Sequence, residues 1–113
     1  MKKIFKYELY PLKMKMHLEL PKGADILTVQ MQRDKAVIWA IVDPENANED
    51  YHFICFGTGQ ENLEDTINTY YMKYIGTFQQ DNGYLVLHLF LDILKSYPSK
   101  QRKRKVACKC QKQ

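Results

Sequence analysis

The chain has little of what marks a secreted, membrane-spanning or metal-centred protein. Its three cysteines, Cys55, Cys108 and Cys110, are an odd number without framework spacing, which excludes the disulfide scaffold of a small secreted domain. Cys55 lies inside an apolar run and reads as a small buried hydrophobe. Cys108-Lys109-Cys110 has no second ligand pair nearby, whereas a structural zinc site wants four ligands. No apolar run approaches the roughly 18 residues of a membrane helix. Charges at Lys6, Glu8, Lys13 and Lys15 break any signal-peptide core. The expectation is a soluble cytoplasmic protein with no membrane, metal or cofactor. Serine occurs only at Ser96 and Ser99, so no nucleophile elbow is present. The acids Asp43, Glu45, Glu49 and Asp50 do not have calcium-loop spacing. With no paired-carboxylate or triad pattern either, the chain is not expected to be an enzyme.

What remains is an apolar, aromatic chain of 113 residues, 45% hydrophobic and 12% aromatic, enough for one domain with a single core. Its net charge of +4 is unevenly placed. Of 17 basic residues, eight lie from Lys95 onward with no acid among them, leaving nine against all 13 acids in residues 1–94. The body is therefore mildly acidic, which disfavours a broad nucleic-acid face. The tail, residues 95–113, offers charge through Lys100–Lys105 without interleaved aromatics. It is expected to be solvated, and nucleic acid would be met only there.

Period-two alternation dominates the body. Phe5, Tyr7 and Leu9 share one face of a first strand, and Met14, Met16, Leu18 and Leu20 one face of a second. Leu27, Val29 and Met31 do so in a third, joined through Arg33-Asp34-Lys35 to Ala36–Val42. That segment and Tyr51–Phe56 are apolar on both faces and so central, with Asp43–Asp50 as an acidic loop between them. Asn62–Tyr70 has helical spacing with Asn62 and Asp65 as a capping pair. Tyr71–Gln79 alternates again, and Asn82-Gly83 marks a type I′ hairpin turn into Tyr84–Leu91. Six to eight strands and one short helix predict an all-β fold, an antiparallel β-sandwich or barrel-like domain over residues 1–94.

Gly57-Thr58-Gly59 ends a strand and is the most suggestive motif, since glycines permit close backbone approach and successive N–H groups hold phosphate. It lacks the lysine and spacing of a P-loop and the third glycine of a dinucleotide fingerprint, and a simple strand-ending turn is the favoured plain reading of it. Gly76 before Thr77 marks a second place for close approach. The candidate ligand-binding residues are Trp39 for stacking, Gly57, Thr58, Gly59, Thr77, Gln79 for reading an edge, and His88 as a pH-responsive group. In the plain alternative Trp39 and His88 are core residues. His17 falls on a polar strand face and His52 at the mouth of the acidic loop.

Leu18–Gly23, Ile26–Gln32, Trp39–Glu45, Phe56–Gly59, Tyr74–Gln79 and Leu85–Phe90 occur in an order that resembles a family of small phage and prophage proteins of unassigned function. The resemblance covers residues 3–92 and leaves the tail out. It implies a viral setting, in an infected bacterial cytoplasm, where small accessory proteins act by binding. Some of these are sponges that sequester nucleotide immune signals. The expectation is a homo-oligomer capturing a small nucleotide-like ligand. The alternatives are an inhibitor or adaptor of a host protein, or a nucleic-acid-associated protein acting through its tail.

Overall fold

The computed structural model describes residues 1–61, 63 and 71–96. Apart from Leu63, the helix expected over Asn62–Tyr70 lies outside them, as does the basic tail beyond Ser96. Alternation becomes seven strands: β1 (Lys3–Glu8), β2 (Lys15–Pro21), β3 (Asp25–Gln32), β4 (Lys35–Val42), β5 (Asn48–Gly57), β6 (Met72–Gln80) and β7 (Leu85–Asp92). A single helical turn, α1 (Ile93–Ser96), follows. The fold is all-β. A three-stranded sheet of order β1-β4-β3 faces a four-stranded sheet of order β2-β5-β7-β6, and every strand pairing is antiparallel. The core lies between them, with Leu20, Ile38, Ala40, Phe53 and Leu89 at its centre. The two segments apolar on both faces, β4 and β5, are interior strands of their sheets, as expected. Among the described residues no helix is long and apolar enough to cross a membrane.

Several expectations shift. Strand β5 begins at Asn48, three residues inside the expected acidic loop, because Asn48, Glu49 and Asp50 pair with Pro21, Leu20 and Glu19. Helix α1 follows β7 directly and packs against β5. Asp92 Oδ1 accepts the Lys95 amide at 3.1 Å, and the Ser96 hydroxyl receives the His52 N–H at 2.8 Å. Asn82 (φ 56°) and Gly83 (φ 89°) both adopt the left-handed conformation expected of the turn, inside a four-residue connection.

Leu27 was expected to share the core face with Val29 and Met31. A β-bulge between Ile26 and Thr28 instead turns Leu27 outward, 43% exposed, and buries Ile26. A second bulge, between Tyr74 and Gly76, buries Ile75. Both lie where the edge strands β3 and β6 meet, alongside a Lys73–Asp25 ion pair at 3.8 Å. A Cβ on Gly76 would stand 2.9 Å from Val29 Cγ1. The backbone approach that Gly76 permits is therefore to the opposite sheet, not to a ligand. On the other side of the core, the buried Tyr51 hydroxyl receives the Gly23 and Ala24 amides at 3.1 and 3.0 Å, pinning the turn after β2.

Gly76→Ala should destabilise the fold by about 1–3 kcal/mol, the usual cost of overpacking. Adding Val29→Ala should recover part of that loss, as strong non-additivity in a denaturation cycle. Purely additive effects would show that the contact does not set the spacing of the sheets.

Candidate ligand-binding site

The Tyr74–Gly76 bulge changes which residues share a face. Without it, Tyr74 and Thr77, three residues apart, would point to opposite sides of β6. With it, both project from the outer face of the four-stranded sheet, opposite Phe90 and His88 of β7. Thr77 Oγ1 lies 2.9 Å from His88 Nδ1, and Thr58 Oγ1, at the end of β5, lies 2.7 Å from His88 Nε2. The Tyr74 hydroxyl continues the chain through a hydrogen bond with Thr77 Oγ1. A neutral imidazole donates from one nitrogen and accepts at the other, so the hydroxyls on its two sides take opposite roles. Beside this row Phe90 is half-buried, edge-on to Phe56 at 5.9 Å and tilted against Tyr74 at 5.5 Å between ring centroids. The result is an exposed row of exchangeable donors and acceptors next to an aromatic surface.

Three of the candidate side chains, Thr58, Thr77 and His88, are thus brought together, with Gly57 behind them. The backbone of the Gly57–Gly59 turn is engaged in its own closure. Gly57 N–H donates to Gln60 Oε1 at 3.0 Å, Thr58 N–H to Val86 O at 3.0 Å, and Gln60 N–H to Gly57 O at 3.1 Å. Gly59, at φ 83° with open space around it, is there for its left-handed conformation. The turn presents the Thr58 hydroxyl rather than a nest of free N–H groups.

Gln79 lies two pairs further along β6, opposite Val86. It lines a separate cleft with Arg33, Asp34, Asn82 and Gly83 at the tips of two hairpins. Trp39 stands apart from all of these. It belongs to β4 in the other sheet, opposite Lys6 and Thr28, and its buried Nε1 has no partner among the described residues. Trp39 and Gln79 do not converge with the Thr58–His88–Thr77 row.

Sequence reading missed a second convergence on the same outer face. His17 and His52 are directly opposite each other on β2 and β5, with ring centroids 5.6 Å apart. The Cys55 N–H to Met14 O bond of 2.7 Å sets the phase of this ladder and places the histidines at a non-hydrogen-bonded pair. At such pairs facing side chains come closest. Pairing between strands so distant in sequence leaves no local signal. Burial, then the neighbouring His17, lowers the His52 pKa below the ordinary imidazole value; Asp50 opposes this, Lys95 adds to it and Asp92 opposes it. Among the described residues no three His, Cys, Asp or Glu gather as metal ligands. Cys55 is buried and unpaired, and burial raises its pKa.

A family model described as a domain of unknown function (DUF7352) matches residues 1–98. The chain belongs to that family. The match takes in every strand and α1. No curated protein and no solved structure matches the chain.

The lowered His52 pKa makes a pH prediction for this DUF7352 member. The unfolded chain takes up the proton first, so the stability associated with neutral His52 is intact above about pH 6.5. It declines as pH falls through that value towards the folded-state pKa, and is fully lost below it. Melting temperatures from about pH 8 to about pH 5 should fall in that window, and less so in His52→Gln. An identical slope in the variant would assign the titration to another group.

Proposed function

We propose that the protein binds a small nucleotide-like ligand without transforming it, on the outer face of the four-stranded sheet. The observation that carries this reading is the row Thr58–His88–Thr77–Tyr74 beside Phe90. Hydroxyl and imidazole groups that trade donor and acceptor roles suit a base edge or a ribose, and an adjacent ring suits stacking. Both His88 nitrogens meet hydroxyls, and among the described residues no carboxylate orients the ring as in a catalytic triad. That favours binding over acid–base chemistry. Sequestration in an infected bacterial host, as a counter-defence protein, is the setting that the resemblance to phage proteins suggests.

Self-association is part of the same proposal. Ile4 and Phe5 on the edge strand β1 are 61% and 39% exposed, and Leu27 on the edge strand β3 is 43% exposed, leaving apolar surface for a second copy. The alternative is a protein partner on the same face, acting through inhibition or adaptation. The reading that employs the basic tail falls outside the described residues.

The discriminating experiment is to incubate purified protein with cell lysate and identify the small molecules released on denaturation by mass spectrometry. Recovery of a nucleotide-like compound is expected. Thr77→Val and Thr58→Val should each weaken its capture by about 1 kcal/mol, roughly fivefold, while leaving the melting temperature nearly unchanged. Co-purification of a host protein with no released compound would favour the protein-partner reading. Light scattering should report more than the monomer mass.

A further inference from the structure

The histidine pair occupies a cleft whose basic groups lack ion-pair partners among the described residues. Lys15, His17, His52, Asp92 and Lys95 line a cavity of about 300 Å³ at the end of the four-stranded sheet, where α1 packs against β5. Lys15, His17 and Lys95 are exposed at its rim, and His52 is half-buried within it. Among the described residues neither lysine has an ion-pair partner within 4.0 Å. Neither imidazole has a ring-nitrogen hydrogen bond there; each stands against the other. The single acid in the lining is Asp92, which pairs with His52 across the sheet and gives its Oδ1 to the Lys95 amide. Glu19 and Asp50 form the next cross-strand row and bound the cleft on one side.

We propose that this cleft binds a phosphoryl group. Two ammonium groups and two imidazoles can direct N–H donors at one small volume, which matches an anion with several acceptor oxygens and more than one charge. A metal ion is the poorer fit, because the lysines repel it and no third ligand is gathered with the two histidines. The cleft lies on the same outer face as the His88 row. The pairs His52–Asp92 and Phe56–His88 are four residues apart along the strands, about 13 Å, with the Ile54–Phe90 pair between them. That separation is on the scale of a nucleotide, from its phosphate to the far edge of its base. The assignment of this phosphoryl group to a nucleotide rests on the proposed function above; the anion site itself does not.

Inorganic pyrophosphate tests the cleft without a base or ribose, using the full chain at constant ionic strength. Saturable shifts of the His17 and His52 ring resonances are expected, with little change at His88. Lys15→Gln and His17→Gln, both at exposed positions, should each weaken binding about tenfold while the fold is retained. Shifts that do not saturate, or equal affinity in both variants, would overturn the site. Adenosine and adenosine diphosphate separate this proposal from the earlier one. Tighter binding of the diphosphate than of pyrophosphate, with added shifts at His88, joins the two ends in one site. Equal affinity for both overturns the nucleotide assignment and leaves a phosphate site, whereas adenosine binding alone overturns the phosphoryl cleft.

Discussion

The approach of β6 to β3 at Gly76 is the constraint from which the candidate site follows. Val29 reaches so close to this point that no side chain fits between the two strands. The two sheets meet here without sharing a hydrogen-bonded ladder, so both edge strands must bend, and each does so through a bulge. In β6 the extra residue buries Ile75 and rephases everything after it. Thr77 then reaches the solvent face together with Tyr74, and His88 finds a hydroxyl on its β6 side. A packing requirement between sheets thereby decides which polar groups meet on the outside.

A second consequence concerns the order of the four-stranded sheet. Strand β5 stands between β2 and β7, so its outer face receives neighbours from two distant parts of the chain. His52 is flanked by His17 on one side and Asp92 on the other, while Phe56 is flanked by His88. A strand in the middle of a sheet is held on both edges, so its side chains keep fixed positions at little further entropic cost. That is the rigidity a recognition surface needs, and loops alone supply it poorly.

Much of this architecture was legible because alternation is a local signal. Phe53, Leu89 and Ile38 face inward wherever period two says they must, and β4 and β5, apolar on both faces, are interior strands. What alternation hides is any point where its phase slips. Leu27 and Gly76 sit at such points: Leu27 exchanges faces with Ile26, and Gly76 is where the backbone closes on Val29. Thr58, Thr77 and His88, which the structure brings together, stand out in sequence as strand-end and strand-face polar residues. Trp39 was grouped with them because it is aromatic, yet β4 belongs to the opposite sheet. The His17–His52 pair was invisible, since 35 positions separate its members and only the β2–β5 register unites them.

The distribution of charge on the outer face gives these separate observations a common direction. The body is acidic overall, yet among the described residues acids are absent from the Thr58–His88–Thr77 row and only Asp92 enters the histidine cleft. Glu19 and Asp50 are confined to the adjoining row, and Asp25 is already paired with Lys73 at the sheet junction. An anion approaching an acidic domain is repelled from most of its surface, so sites where cations outnumber acids gain selectivity as well as affinity. Lys15 and Lys95 stand at the end of the face where this excess occurs, and the aromatic residues Phe90 and Tyr74 stand between them and the hydroxyl row. Charge at one end, hydrogen-bond exchange at the other and an aromatic surface between form a polarity sequence. A ligand with a phosphate, a ring and a polar edge complements it in one orientation, because reversal would place the phosphate among neutral hydroxyls and leave the lysines unpaired.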